Sequence, residues 1–288
     1  MSEERGRDPV MPLIGAGVCF LLYRVLLYFL VPVGEALGGR MIALTVPPLV
    51  AAGVSGALAM AIFESRRLGD LGLAWVNGTF WNFITGICLG GAAASLSVLP
   101  AVALGLAHFQ RSSNADVSAS GALFTPILLF CGSLGEEIAF RGFPLQYLMR
   151  GYGRWAAILA TAALFGLLHA GNPDATTLST INTVGFGIVF AVAVLRSRDL
   201  WLPAGIHFAW NMVLPFLGVG LSGLTIKVTA YEVVWNAGSF WSGGKYGPEA
   251  SGVTSVIILL LLAAIWRVPV TPGSAYLAAQ SQRSPSPS

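Results

Sequence analysis

The sequence predicts an all-α fold, a polytopic transmembrane helical bundle of about eight spans. Three observations carry this. Of the 288 residues, 55% are hydrophobic and only 10% charged, against roughly 25% charged in a soluble domain. Apolar runs long enough for a bilayer recur through nearly the whole chain, and a chain in hydrocarbon satisfies its backbone within helices. Most of the charged residues fall between those runs.

Each element follows in order. Residues 1–9 form a short charged tail. Span 1 covers about 10–33 and reads as a retained first span, because no small-residue cleavage site follows it. Its Arg24 is read as snorkelling or as part of a packing ion pair. Span 2 covers about 41–63, with Pro47 and Pro48 marking a kink or a late helix start. The connector from Glu64 to Trp75 places Leu68, Leu71, Leu73 and Trp75 to suit a segment lying along the membrane interface. Span 3 covers about 80–106 and is rich in Gly and Ala, which suits close helix packing. Residues 108–120 read as a polar loop.

Span 4 covers about 121–149, span 5 about 155–170, span 6 about 178–195 and span 7 about 200–219. A longer loop, 220–252, holds Tyr231, Trp235, Phe240, Trp241 and Tyr246. That aromatic density fits a loop resting on the membrane interface, or one that caps a cavity. Span 8 covers about 253–266, and the Ser/Pro/Gln-rich end, 281–288, reads as disordered. The organisation expected is N-terminal spans over 1–120, a core over 121–220, and the loop, last span and tail over 221–288.

A net charge of +3 gives no reason to expect a nucleic-acid partner. Cys19, Cys88 and Cys131 lie in apolar runs without metal-type spacing and read as small core residues. With eight spans both ends share one side. Arg5, Arg7, Arg66, Arg67, Arg150, Arg154, Arg196, Arg198, Arg267 and Arg283 then share that side, while Arg40, Arg111, Lys227 and Lys245 face the other. The asymmetry puts both ends in the cytoplasm.

The chemistry centres on Gly135-Glu136-Glu137-Ile138-Ala139-Phe140-Arg141 in span 4. A charge at mid-bilayer costs roughly 2.5–3.5 kcal/mol on insertion scales, so these groups need a protein interior or a wet cavity. Glu137 and Arg141 are four apart and share a helix face, so they can pair. Glu136 points about 100° away and stays free of that pair. Of three histidines, His108 reads as a loop residue, while His169 falls in span 5 and His207 in span 7. Asn211 lies four residues beyond His207 on the same face. A lone membrane His or Asn is often only a helix-to-helix hydrogen bond. Several such groups beside a Glu-Glu pair point instead to a small wet pocket they share.

Glu136-Glu137-x-x-x-Arg141, then Phe165-x-x-x-His169, then His207-x-x-x-Asn211, in that order on successive spans, resembles the CPBP family of CAAX proteases and bacteriocin-processing intramembrane proteases, also called ABI. The resemblance covers about 123–219. Leu68-Gly69-Asp70-Leu71-Gly72-Leu73 also looks like the connector preceding this core in relatives. The loop 220–252 and span 8 fall outside it.

Peptide hydrolysis needs an activated water and a stabiliser for the oxyanion. Glu136 can take a proton from water, with His169 holding that water from the other side. His207 and Asn211 have N–H donors for the carbonyl oxygen as it becomes negative. The resemblance implies the same roles, with Glu137 and Arg141 fixing the helix and the local field. No cofactor is expected on this reading. A zinc alternative would use Glu136, His169 and His207 with an open fourth position, although no HExxH pair is present.

From another class, a proton-coupled transporter or channel could use the same Glu/His set, but no internal repeat is found. A membrane scaffold would leave the polar set unexplained. The expected partners are the lipid bilayer and a membrane-associated protein or peptide, of prenylated or other type. The expected location is a bacterial inner membrane. With straight spans, Glu136 lies near mid-depth, His169 near the outer end and His207 nearer the inner end. They meet only if helices tilt, shift or break, and Gly142, Pro144 and Pro203 offer places for that.

Overall fold

A computed structural model of the chain describes residues 10–112 and 119–276. The charged tail 1–9, the tail 281–288 and, with them, Arg5, Arg7 and Arg283 lie outside the described residues, as do residues 113–118 of the loop 108–120. The elements are α1 (Val10–Ala59), α2 (Thr79–Ala103), β1 (Ala107–Arg111), α3 (Ala119–Arg141), α4 (Phe143–Tyr152), α5 (Arg154–His169), α6 (Thr177–Ser197), α7 (Trp201–Phe216), β2 (Tyr231–Trp235), α8 (Ser239–Ser242) and α9 (Gly252–Arg267). Among the described residues the regular structure is helical apart from one small sheet, as the composition predicts.

The first expected boundary moves. α1 is two helical limbs joined at Gly38 and Gly39 rather than across a loop of several residues. Gly39 has φ 74° and ψ −170°, a region that only glycine occupies readily. The chain reverses there: a Cβ on Gly34 would stand 2.9 Å from Pro47 Cγ and 3.1 Å from Ala43 Cα. Pro47 and Pro48 sit inside the second limb without ending it. A π-helical turn, Met60–Glu64, leads into the connector.

Part of that connector packs inward. Leu71 is fully buried. Its carbonyl accepts from Gln146 Nε2 at 3.0 Å, and the Gly72 carbonyl accepts from Leu200 N at 3.1 Å. Only Trp75 keeps the exposed aspect expected of the segment. Of the cysteines, Cys19 is buried as expected, but Cys88 is exposed and Cys131 half-buried.

Four helical segments are long and apolar enough to cross a membrane by length and composition: Val10–Glu64, Thr79–Ala103, Gly121–Tyr152 and Thr177–Ser197. The first contains the α1 hairpin. Arg154–His169 and Gly252–Arg267 are apolar but shorter. The segment read as one span over 121–149 is two helices broken at Gly142, whose ψ of −122° ends α3.

Residues read as loop, His108 among them, form β1, which pairs antiparallel with β2 from Ala107↔Trp235 to Arg111↔Tyr231. Neither strand is long enough to announce itself by alternation alone.

α2 packs along α7 almost without side chains between them. A Cβ on Gly90 would stand 2.1 Å from the Ile206 carbonyl oxygen, and one on Gly86 2.3 Å from that of Leu202. Gly205 answers from α7, where a Cβ would meet the Phe83 carbonyl at 2.4 Å. At the end of this seam Asp199 caps α7, accepting from Trp201 N at 3.2 Å and Leu202 N at 3.1 Å. Asn82 Nδ2 donates to the same carboxylate at 2.6 Å. α7 is therefore fixed in height and rotation before its polar residues are considered.

Gly90→Val should push α7 off α2 and destabilise the protein by about 1–3 kcal/mol or more. Gly91→Ala, whose nearest contact is 3.9 Å away, should leave the packing intact and stabilise the protein by about 0.5–1 kcal/mol, the cost of a glycine in a helix interior. Thermal unfolding of both variants in detergent checks the pair.

Candidate active site

α3 carries Ser133, Glu136, Glu137 and Arg141 along its last turns. The helix comes close to the second limb of α1 because residue 135 is glycine: a Cβ there would stand 2.6 Å from Leu49 N. The Glu137–Arg141 pair expected from the spacing forms, with Arg141 Nη1 3.3 Å from Glu137 Oε1. Both residues are fully buried. The guanidinium also lies over two rings, 4.3 Å from the Phe165 centroid and 5.0 Å from that of Phe190. Cation–π contact offsets part of the hydration it has lost.

Glu137 does more than the spacing indicates. Its Oε1 also accepts from His207 Nδ1 at 2.9 Å. The His207 ring stacks on Phe190, with centroids 4.8 Å apart and planes at 15°. The imidazole is thus fixed at one nitrogen and one face, and its Nε2 points to Glu136, 3.8 Å from Oε2.

His169, the last residue of α5, is held in the same manner. Its Nδ1 lies 2.8 Å from the Phe165 carbonyl oxygen. A carbonyl only accepts, so Nδ1 carries the proton and Nε2 is left for the cavity. That Nε2 stands 3.9 Å from Glu136 Oε2. One carboxylate oxygen therefore faces two imidazole nitrogens. Asn211, one turn beyond His207, donates from Nδ2 to Ser133 Oγ at 3.2 Å.

Glu136, His169, His207 and Asn211 line one cavity of about 190 Å³. Of the two acids that line it, Glu136 is the more open, with a side chain 30% exposed, while Glu249 is buried. The depth conflict of straight spans disappears because the cavity lies at the level of the α5–α6 turn. His169 ends α5 there, and Asn172 and Thr183 line the same cavity.

Four further residues at this site were not anticipated. Ser133 lies one turn before Glu136, and its position on the shared helix face was the available signal. Asn172, Ser222 and Glu249 gave none, since they lie in loops and far apart in sequence from one another. Glu249 lies in the loop 220–252, which lines the cavity and so caps it. The carboxylate accepts from Ser222 N and from Ser222 Oγ at 2.9 Å on Oε2, and from Trp210 Nε1 at 3.3 Å on Oε1. Burial pushes its carboxyl above the ordinary carboxylate range, while the Ser222 hydroxyl and N–H pull the other way.

The zinc alternative can be weighed on spacing. Ligands about 2.0–2.1 Å from one tetrahedral zinc stand about 3.3 Å from each other. Glu136 Oε2 is 3.9 Å and 3.8 Å from the two Nε2 atoms. Among the described residues no group of three or more His, Cys, Asp or Glu is placed to hold a metal ion. The set does not fit that centre as it stands.

Residues 118–213 match the family described as type II CAAX prenyl endopeptidase Rce1-like. The matched stretch runs from just before α3 to two residues past Asn211, and includes Glu136, His169 and His207. It agrees with the CPBP resemblance of the ordered motifs. No curated protein matches the chain.

Breaking the buried pair on one side should be costly. Arg141→Met should lower stability by about 3–5 kcal/mol, because the buried Glu137 loses its guanidinium and keeps only His207 as a partner. Arg141→Met with Glu137→Gln should cost less than Arg141→Met alone. Denaturant unfolding of the single and double variants checks this.

Proposed function

Because residues 118–213 match the type II CAAX prenyl endopeptidase Rce1-like family, we propose that the chain is an intramembrane endopeptidase acting on a membrane-associated protein or peptide. The single observation that carries this reading is the convergence of two imidazole Nε2 atoms on Glu136 Oε2 in one half-enclosed cavity. A proton relay could share the residue types, but the family match favours the protease.

In the proposed reaction a water sits between Glu136 and His169. Glu136 takes one proton as the water oxygen bonds to the scissile carbonyl carbon. The carbonyl π electrons move to its oxygen, which becomes the oxyanion. Asn211 Nδ2 has a second N–H besides the one given to Ser133, and donates it there. With both ring nitrogens protonated, His207 keeps Glu137 on Nδ1 and offers its Nε2–H to the same oxygen. Glu136 then returns its proton to the leaving nitrogen as the C–N bond breaks. Glu137 and Arg141 act by holding His207 and the end of α3.

We favour a metal-free glutamate mechanism over a zinc one, on the spacing of the three side chains. The reading also includes eight crossings with both ends cytoplasmic, in a bacterial inner membrane.

Glu136→Gln should insert and fold as wild type, since the side chain is part-exposed and makes no buried ion pair. Its cleavage rate should fall by about 10²–10⁴-fold. Asn211→Ala should lose about 10²–10³-fold in kcat. The assay is cleavage of an internally quenched, prenylated CAAX peptide by protein in liposomes, with termini of cellular membrane proteins mapped by mass spectrometry in parallel. Identical termini with wild type and Glu136→Gln would overturn the protease reading. Extensive chelation should leave the cleavage rate unchanged; loss restored by zinc would overturn the metal-free mechanism.

A further inference from the structure

The loop 220–252 makes one wall of the site, and one carboxylate ties that wall to the helices. Leu221 and Leu224 bridge a tight turn that is docked from three directions. The Ser222 carbonyl accepts from Asn172 Nδ2 at 3.2 Å. Gly223 N donates to the Tyr246 carbonyl at 2.9 Å. Gly223 itself has φ 80°, and a Cβ there would stand 2.0 Å from the Pro173 carbonyl oxygen. The fourth hold is Glu249, which takes both the N–H and the hydroxyl of Ser222.

Glu249 also reaches the catalytic helices. Trp210, its other donor, lies between His207 and Asn211 on α7. Its own carbonyl accepts from Asn182 Nδ2 of α6 at 2.8 Å. The turn, α6 and α7 are thus joined at one residue that is only 8% exposed.

Behind this wall is a second cavity of about 240 Å³, lined among others by Lys227, Val233 and Trp235. Sequence neighbours are divided between the two spaces. Leu221 and Glu249 line the first, Gly220 and Pro248 the second, and Ile226 lines both. The partition is therefore the turn 220–226 together with 248–249.

We propose that Glu249 is a positioning residue, holding the turn 220–226 as the wall between the two cavities against which the substrate peptide packs. This rests on the protease reading for the word substrate, but not for the wall itself. The carboxylate suits the task because its two oxygens serve donors from different elements. A glutamine has one acceptor oxygen, so Glu249→Gln would turn an NH₂ group toward either Ser222 N–H or the Trp210 indole. The turn would then open more often while Glu136, His169 and His207 stay in place.

The experiment uses the full chain in liposomes with Cys19, Cys88 and Cys131 replaced by Ala and Leu221→Cys added. Leu221 is buried, so its maleimide labelling reports opening of the turn. Glu249→Gln should raise the labelling rate about tenfold, and Ser222→Ala should raise it less, since the Ser222 N–H still reaches the carboxylate. For the prenylated CAAX peptide, Glu249→Gln should raise KM about tenfold with kcat within about threefold.

Unchanged labelling in both variants would overturn the proposal. A fall in kcat with KM unchanged would overturn it too, because Glu249 would then act in the chemistry. If no form of the protein cleaves the peptide, the protease reading fails, yet labelling still decides the wall.

Discussion

Glu137 Oε1 is the atom on which the site depends. It holds Arg141 on its own helix and His207 on α7, in a place with no access to water. Two charges and an imidazole in a low-dielectric interior need one another, because removing one partner leaves the others uncompensated. The geometry follows from that need. His207 Nδ1 is committed to Glu137, so Nε2 is committed to the cavity. Glu137 faces inward toward α7, so Glu136, the next residue on the helix, is turned out of the pair and into the open space. One acid is used for order, and the other is left for chemistry.

Much of this could be read from the sequence, and the reasons are particular. A carboxylate in an apolar run has few places to go, so Glu136 and Glu137 declared themselves. The spacing of four joined Glu137 to Arg141 and His207 to Asn211. Other features depend on chain reversals that spacing does not encode. Gly38 and Gly39 look like two ordinary small residues until the backbone turns on them and brings Gly34 against Ala43. The second role of Glu137 needs α7 at a known height, and that height is set by Gly86, Gly90 and the Asp199 cap. Glu249 is a single acid between Pro248 and Ala250 in a loop. Nothing short of the folded loop brings it to Trp210 and Ser222.

The pattern of support around the two histidines is the same in both cases. Each Nδ1 is held by an acceptor, one a carbonyl and one a carboxylate, and each ring lies against phenylalanine. Fixing the ring and its tautomer in advance removes a reorganisation cost when charge develops. The difference between the acceptors matters as much as the likeness. A neutral carbonyl suits an imidazole that accepts a hydrogen bond from water. In the proposed mechanism a carboxylate suits the imidazole that would carry positive charge beside an oxyanion.

The seam between α2 and α7 bears on how a lipid-embedded substrate can arrive. Where backbone touches backbone at Gly86, Gly90 and Gly205, no rotamer can swing aside, and parting the two helices means lifting a whole one. α7 is therefore an immovable back wall. On the protease reading proposed above, lateral admission from the bilayer would use a side of the cavity made of side chains rather than backbone. Met41 and Leu44 of α1, half-buried and exposed respectively, form such a side. They can change rotamer in nanoseconds, and the catalytic atoms at the back need not move while they do.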